Sequence, residues 1–258
     1  MARPDHSSPT QLERDLTELK LLEIAKCYRE VLDEAARKGS SMLEVLATLV
    51  GLEQTVRQQR ALERRLREAR LPKRKTLAEY DFNFPKKIAK TAIVRLFDCD
   101  FIGRYGCAVL IGPTGTGKTH LLNALGYTAC ERGCSVRYTR VVDMLNHLTT
   151  AQINGRLAKA LKSYVRPQVL LLDELGYLPI DKRGADLLFQ VVAARYETGS
   201  IVLTTNRPFR EWGTLFDVDN TLATALIDRL MHHGEAFVIQ GDSYRMRDKD
   251  SDADPPSA

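Results

Sequence analysis

The stretch Gly112-Pro113-Thr114-Gly115-Thr116-Gly117-Lys118-Thr119 decides the fold of this chain. It matches the pattern G-x-x-x-x-G-K-[ST], and it lies between the apolar run 108–111 and the helix-like run 121–125, which is the context that the pattern requires. Its glycines let the backbone turn so that amide groups converge on phosphate oxygens, and the N-terminus of the following helix adds positive potential. The sequence therefore predicts a phosphate cradle between a strand and a helix.

Each polar residue of this cradle has an expected partner on a bound nucleotide. Lys118 should reach the β- and γ-phosphates, and the hydroxyl of Thr119 should bind Mg²⁺. The alternative is a glycine-rich turn without a ligand. We expect ATP to be bound by the residues Gly112, Pro113, Thr114, Gly115, Thr116, Gly117, Lys118, Thr119 and His120.

Short apolar runs separated by helix-sized segments continue from about residue 100 onward, which is typical of a parallel α/β sheet. The run 169–172 leads into the adjacent carboxylates Asp173 and Glu174. Paired with the cradle, Asp173 is expected to hold the Mg²⁺ shell and Glu174 to orient or deprotonate the attacking water. The alternative is a solvated turn. The expected strands are 108–111, 135–138, 169–172, 201–204 and 236–239.

Two further residues are candidates for catalysis. Asn206 follows the run 201–204, where a central strand would meet the γ-phosphate, and we predict that it senses this phosphate; a turn residue is the alternative. Arg229 lies near the end of the helix-like run 222–230 and is the candidate arginine finger, supplied to the nucleotide of a neighbouring subunit. The alternative is an arginine paired to the helix dipole or to Asp228.

Histidines and cysteines do not predict a metal site. His232 and His233 are adjacent, and neighbouring positions on a helix diverge by about 100°. No cysteine or carboxylate cluster accompanies them in the sequence, so a surface or DNA-facing role is expected. The five cysteines are scattered without a Cys-x-x-Cys pair and are expected to be reduced and structural.

The first third of the chain differs in character. Leu12, Leu16 and Leu19 recur at helical spacing in a segment that continues to about Lys38 and stops at Gly39. A capping box of Ser41 and Glu44 then opens a second helical stretch that ends near Pro72. Its apolar face is expected to begin with Leu43, Leu46, Leu49 and Val50. The predicted divisions are a disordered N-terminus 1–10, a helical domain 11–72 for partner or DNA interaction, a linker 73–98, the core 99–241 and a tail 242–258.

Composition and charge narrow the functional classes. The chain has 258 residues and a net charge of +5, and it contains no uninterrupted apolar run long enough for a membrane span. Its polar start is unlike a signal peptide, so a cytoplasmic protein without membrane contact is expected.

Two basic clusters are candidates for contact with DNA phosphates. The first consists of Arg156, Lys159, Lys162 and Arg166. The second, residues 57–75, has nine basic residues against two acidic ones. Within it the candidates are Arg64, Arg65, Lys73, Arg74 and Lys75. The alternative for each cluster is a solvated face.

Taken in order, these motifs resemble those of the IstB-like transposition helper ATPases, relatives of the DnaC helicase loaders within the AAA+ proteins. The resemblance covers nearly the whole chain. It is carried by Gly117-Lys118-Thr119-His120, Asp173-Glu174-Leu175-Gly176-Tyr177, Thr204-Thr205-Asn206-Arg207-Pro208 and Asp228-Arg229-Leu230-Met231-His232-His233. It implies an AAA+ P-loop core with a five-stranded parallel sheet of order 5-1-4-3-2, preceded by a small all-α domain. We expect no C-terminal lid with a sensor arginine after the last strand, in contrast to many AAA+ proteins and as in the nearer relatives of this family.

The resemblance also implies a function. Helpers of this kind bind ATP and Mg²⁺, form homo-oligomeric rings or spirals on duplex DNA, deform that DNA and recruit an IstA-like transposase, which stimulates hydrolysis. A DnaC-type replicative helicase loader is one alternative. Another is a non-catalytic scaffold in which ATP only locks a DNA-coating filament. A P-loop kinase is disfavoured because no acceptor pocket or lid signal is found.

Overall fold

The computed structural model describes residues 9–85, 87–216 and 220–244, which form two compact units that divide between Arg64 and Arg65. Most of the predicted disordered N-terminus (1–10) and of the predicted tail (242–258) lies outside the described residues. In the described parts of the chain, no helix is both long and apolar enough to cross a bilayer.

The first unit consists of helices whose ends were partly predicted. Gly39 ends the second helix with a φ of 68°, and Ser41 and Glu44 exchange hydrogen bonds of 2.7 and 3.3 Å, so the predicted stop and capping box are confirmed. The predicted single segment up to Lys38 is wrong, because Lys20 takes a φ of 59° and breaks it. The break lets Leu16 pack against the small core around Ile24 and Tyr28. The helices are α1 Pro9–Glu18, α2 Leu22–Lys38 and α3 Met42–Ala69, the last of which runs on into the second unit.

Most of the apolar face predicted at the start of α3 is exposed to solvent. Leu49 is buried against Ile24 and Tyr28, but Leu43, Leu46 and Val50 are 76%, 59% and 48% exposed. The small unit has only a short apolar core, so a helical period of leucines does not lead to burial on this face.

The second unit contains a five-stranded parallel sheet with the order β2-β3-β4-β1-β5, which confirms the expected order 5-1-4-3-2. The central strands β1, β3 and β4 are almost entirely buried because helices cover both faces of the sheet. The strands are β1 Cys107–Ile111, β2 Val136–Arg140, β3 Val169–Leu175, β4 Ser200–Thr205 and β5 Gly234–Val238.

The sheet order brings the predicted cradle, the carboxylates Asp173 and Glu174, and Asn206 toward one edge. Strand β4 lies between β1 and β3, so the segments that follow these three strands meet at the carboxyl ends of the sheet, where open α/β sheets bind ligands. The helices of this unit are α4 Lys90–Leu96, α5 Asp100–Gly103, α6 Lys118–Glu131, α7 Val141–Ile153, α8 Leu157–Val165, α9 Lys182–Arg195, α10 Trp212–Leu215 and α11 Asn220–His232.

Arg195, the last residue of α9, is a buried cation that ties several elements together. Its side chain is 1% exposed, and burial lowers its pKa to about 10. Its two terminal nitrogens donate to five backbone carbonyls at 2.7 to 2.9 Å, at the end of α8, before β3 and at the start of β4. The carbonyls belong to Tyr164, Val165, Pro167, Gln168 and Ser200.

Candidate nucleotide-binding site

The predicted cradle connects β1 to α6, as the motif requires. Gly115 and Gly117 both have a φ of 86°, a conformation that favours glycine. A Cβ at Gly112 would lie 2.3 Å from the carbonyl oxygen of Ile239, and one at Gly117 would lie 2.6 Å from a ring carbon of Tyr80. Ile239 and Tyr80 therefore lie so close to the loop that a larger side chain does not fit at Gly112 or Gly117.

Lys118 opens α6 and is 4% exposed. Its Nζ donates to the carbonyl oxygens of Gly112 at 2.6 Å and Pro113 at 2.7 Å, which holds the ammonium group against the loop. These two bonds keep the ammonium group beside the loop in which a phosphate is expected to bind.

Asp173 is the centre of the polar network behind the cradle. Its side chain is 1% exposed, its Oδ1 accepts hydrogen bonds from the hydroxyls of Thr119, at 3.1 Å, and Thr204, and its Oδ2 accepts one from Tyr138 at 2.9 Å. Burial and the Asp173 charge raise the pKa of Tyr138, so this phenol stays a donor. Thr119 and Asp173, the pair predicted to hold Mg²⁺, are thus in direct contact, and both offer oxygen atoms, the ligand type that Mg²⁺ prefers.

Sequence reasoning missed the roles of Tyr138 and Thr204. Both lie at or near the carboxyl end of a predicted strand, which is the available signal, but their convergence on one carboxylate depends on the sheet order.

Glu174 has an unusual backbone conformation. Its φ is 64°, its amide donates to the Thr204 hydroxyl at 2.9 Å, and the pairing of β3 with β4 shifts register between Leu172 and Leu175. A left-handed conformation costs a non-glycine residue about 1–2 kcal/mol. The side chain lines the same cleft as the cradle. A residue with a strained backbone and a carboxylate in the cleft is consistent with the predicted catalytic role.

Asn206 follows β4 and is half-buried, and it does not line the cleft. Its Oδ1 atom is buried and has no hydrogen-bond partner among the described residues. Buried amide oxygens are normally bonded, so this atom has the capacity to accept a bond from a water or ligand. Its role as a γ-phosphate sensor stays a prediction.

The cleft beside the cradle has a volume of about 600 Å³, and residues 72–85 form its second wall. The hydroxyl of Tyr80 donates to the carbonyl oxygen of Thr116 at 3.0 Å, and burial raises the pKa of Tyr80 to about 12. His120 Nε2 lies 3.0 Å from the carbonyl oxygen of Thr76. His120 lines the cleft and connects α6 to the second wall, and its predicted contact with ATP stays a prediction.

The chain after β5 closes the other side of the loop. The amide of Tyr244 donates to Gly115 O at 3.0 Å, and its ring packs edge-to-face on Phe84 at 4.8 Å. Sequence reasoning gave Tyr80 and Tyr244 no role, because their approach to the cradle is not visible in a linear pattern.

Arg229 is not brought to this cleft. It is half-buried, its guanidinium lies 4.6 Å from the ring centroid of Phe189, and it donates to Ala225 O at 3.2 Å. It borders a small hollow together with Cys107 and His233. Cys107 begins β1, whereas the cradle follows the other end of that strand, so Arg229 and the cradle lie at opposite ends of the sheet.

The two basic clusters differ in the structure. Arg156, Lys159, Lys162 and Arg166 are all exposed along α8, whose opposite face packs into the core through Ala160 and Tyr164. Within the described ranges none of these four forms an ion pair. This set is called the α8 stripe.

Several members of the second cluster already have partners. Arg65 Nε donates to Cys130 O at 2.9 Å, Arg74 stacks on the Tyr127 ring at 4.5 Å, and Lys75 pairs with Glu79 at 3.1 Å. Arg64 and Lys73 are exposed, and Lys73 and Lys75 line the cleft. The α8 stripe is the better candidate for a nucleic-acid surface.

The sequence predicted that the side chains of His232 and His233 diverge as neighbours on one helix, and this prediction is wrong. Helix α11 ends at His232, so the two residues are not successive positions of one helix, and their ring centroids lie 4.1 Å apart. A carboxylate, Glu197, also joins them.

A family model described as IstB-like ATP binding protein matches residues 14–252. An insertion sequence IS21 putative ATP-binding protein of Pseudomonas aeruginosa is 38% identical over 93% of this chain and 90% of its own length. The IS232 counterpart of Bacillus thuringiensis subsp. berliner is 37% identical over 94% and 96% of the two chains.

Two solved structures have the same fold as the second unit. The DnaC helicase loader matches 64% of this chain and 96% of its own, with a TM-score of 0.54 and 21% identity. AMPPCP-bound DnaA from Aquifex aeolicus matches 73% and 58%, with a TM-score of 0.56 and 22% identity. At these identities the likeness establishes the fold alone.

Proposed function

The chain belongs to the IstB-like ATP-binding protein family, and from that premise we propose that it is a Mg²⁺-dependent ATPase that assembles on duplex DNA, remodels it and recruits a transposase. The observation that carries the catalytic part is the contact between Thr119 and the buried Asp173 beside the cradle. A cradle alone would indicate only nucleotide binding. The hydroxyl and carboxylate pair, with Glu174 on the same cleft, adds what hydrolysis needs.

The residues present fit ATP and Mg²⁺. The buried carboxylate of Asp173 contacts the hydroxyl of Thr119 at the end of the loop, and glycines leave the loop backbone without side chains. The metal, when bound, neutralises phosphate charge. Thr119 and Asp173 would hold it, while Lys118 exchanges its carbonyl partners for phosphate oxygens. Glu174 would accept a proton from the attacking water. Asn206 does not line the cleft, so its buried Oδ1 would have to become exposed to the cleft before it could accept a hydrogen bond from the same water.

Assembly is supported by the position of Arg229. Arg229 lies at the opposite end of the sheet from the cradle, so it cannot reach the nucleotide bound by the same subunit. It can reach the nucleotide of a second subunit that packs its cradle against the Arg229 end of the sheet. ATP would then be held between two subunits, which couples nucleotide binding to oligomer formation. Contact with DNA is supported by the α8 stripe, since exposed cations without ion-pair partners displace counterions from phosphates.

Replacing Glu174 by glutamine is expected to lower ATP turnover by about 10²–10⁴-fold, because the amide cannot accept the proton of water. Nucleotide affinity should change little, since Glu174 contacts neither the loop nor Thr119 in the hydrogen bonds given above. Phosphate release and nucleotide binding are measured with DNA present. Glu235→Gln, at an exposed carboxylate of β5, is the control. Equal turnover in wild type and Glu174→Gln would favour the ATP-locked scaffold instead.

Reversing two charges of the α8 stripe, Lys159→Glu with Lys162→Glu, is expected to weaken duplex binding at every sequence tested. Each lost phosphate contact should also reduce the slope of log affinity against log salt by about 0.9. Fluorescence anisotropy at several salt concentrations measures both effects. Lys182→Glu with Arg183→Glu, an exposed basic pair on α9, makes the same change in charge elsewhere. If both pairs weaken binding equally, only net charge matters and the stripe is not the DNA surface.

Electron microscopy of the full chain with ATP and duplex DNA tests the proposed function as a whole. Rings or spirals around DNA are the expected result, and monomers throughout would overturn the proposal. Capture of a transposase from the same insertion sequence, compared with capture of the host's replicative helicase, decides the partner. Binding to the helicase alone would make the chain a helicase loader.

A further inference from the structure

Three side chains able to bind a metal meet where α11 ends, apart from the nucleotide cleft. Glu197, His232 and His233 each offer one ligand atom, and these atoms lie within 4.8 Å of one another. All three residues are exposed, so an ion has direct access to them. Glu197 follows the end of α9 and His233 leads into β5, so the cluster is built by the packing of two helix ends.

The spacing fits a small divalent ion. His233 Nε2 and Glu197 Oε1 are 3.2 Å apart. An ion with bonds of about 2.0–2.2 Å to nitrogen and oxygen places neighbouring ligand atoms roughly 3.0–3.5 Å apart. This pair is therefore already at the separation of two ligands of one ion, and the second imidazole stands beside it with a ring centroid 4.1 Å from that of His233.

A neighbouring phenol orients the second imidazole. The hydroxyl of Tyr196 lies 2.8 Å from Nδ1 of His232, which leaves Nε2 of that ring for a ligand. Histidines that bind metals commonly use the other ring nitrogen in such a bond, which sets the tautomer and the ring direction. In the metal-bound form His232 Nδ1–H would donate to the phenol oxygen.

Glu197 also has an unusual backbone conformation. Its φ is 56°, a left-handed conformation in which glycine is the easier residue. The position accepts glycine without strain, so removal of the carboxylate there can be separated from loss of folding.

We propose that Glu197, His232 and His233 form a binding site for a divalent transition metal, with Zn²⁺ as the best match to two imidazoles and a carboxylate. Three protein ligands leave a fourth position for water or for a group from a neighbouring subunit.

The site is separate from the predicted Mg²⁺ site. The carbonyl oxygen of His233 accepts from the amide of Cys107 at the start of β1, about 16 Å along this five-residue strand from the cradle. The proposed metal site lies about one helical turn beyond Arg229. A metal ion bound there would add positive charge to the surface that carries this arginine.

Titration of the metal-free full chain with Zn²⁺, in competition with a chromophoric chelator, tests the proposal. Wild type is expected to bind one equivalent through this cluster. His232→Ala with His233→Ala, and separately Glu197→Gly, should each weaken binding at least about tenfold. Glu197→Gly should melt at a temperature no lower than wild type, because glycine accepts the conformation at this position.

The free cysteines are the competing ligands, and Co²⁺ distinguishes them. Co²⁺ bound to imidazole and carboxylate gives visible bands without thiolate charge transfer, and Cys134→Ser should leave the titration unchanged. Tyr196→Phe should weaken binding while the spectrum keeps its form, which identifies it as a positioning residue. The proposal is overturned if wild type binds no Zn²⁺, if the double histidine variant binds as tightly as wild type, or if thiolate bands dominate.

Discussion

Replacement of Arg229 by alanine is expected to lower ATP turnover of the assembled protein by on the order of 10³–10⁵, the range measured for arginine fingers. The physical reason is that a guanidinium stabilises negative charge that develops on the transferring phosphate. Nucleotide affinity of the monomer should be unchanged, because Arg229 lies at the other end of β1 from the cradle. Turnover and nucleotide binding are measured on the same preparations.

A mixing experiment shows whether the arginine acts on a neighbour. Lys118→Ala and Arg229→Ala are each expected to be inactive alone, but some interfaces in a mixture of the two combine an intact cradle with an intact arginine. Recovery of part of the activity is the expected result. Arg210→Ala, at an exposed arginine in the segment between β4 and α10, is the control. Full activity of Arg229→Ala alone would refute the assignment.

Arg229 also packs on Phe189, so its removal has a structural side. A melting curve of Arg229→Ala must therefore accompany the kinetics. A small loss of stability together with a large loss of turnover is the expected combination, since a cation–π contact at a partly exposed site contributes only about 0.5–1 kcal/mol.

Replacement of Arg195 by methionine is expected to lower the free energy of unfolding by at least about 3 kcal/mol. Methionine retains much of the stem but none of the donors, so five carbonyls lose a charge-assisted partner, in two buried and three partly buried hydrogen bonds. One of them, Gln168 O, still accepts from the amide of Ser200 at 2.9 Å. Each buried acceptor left unbonded costs about 1–3 kcal/mol, and relaxation or entering water recovers part of the sum. Denaturant unfolding of both proteins measures the difference.

Arg183→Met, at an exposed position of the same helix, is the matched control and should change stability by less than about 0.5 kcal/mol. A loss for Arg195→Met no larger than that of the control would mean that the carbonyls find other partners. Arg195→Lys is expected to be nearly as harmful as methionine, because a single ammonium has three donors and cannot reproduce the fork of the guanidinium.

Much of the core was visible in the sequence. The five apolar runs predict the five strands to within two residues at either end, except that β3 runs on to Leu175. The buried strands of a parallel sheet are recognisable because both faces are covered and the runs are continuous. The order of the strands came from the resemblance to a known family, and the pairing of β1 with β4 and β5 confirms it.

The small helical unit was harder to predict. Periodic leucines predicted an apolar face on α3, yet Leu43 and Leu46 are exposed. Periodicity reports which side of a helix is apolar, but it does not tell whether anything packs against that side. The break at Lys20 was missed for a related reason, since a positive φ at lysine is maintained by the packing of α1 on α2 and has no local signal.

By itself the sequence determined the cradle, the carboxylates after the third apolar run and the sheet class, because glycine spacing and hydrophobic periodicity are local properties of the chain. Only the tertiary structure decided which groups meet. Tyr138 and Thr204 both donate hydrogen bonds to Asp173, and the ring of Tyr80 packs against Gly117. Arg195 donates to carbonyls of α8, of β4 and of the segment before β3. The tertiary structure also placed Arg229 at the far end of the sheet and joined Glu197 to two histidines. These contacts join residues distant in sequence, so they follow from how the elements pack and not from any pattern along the chain.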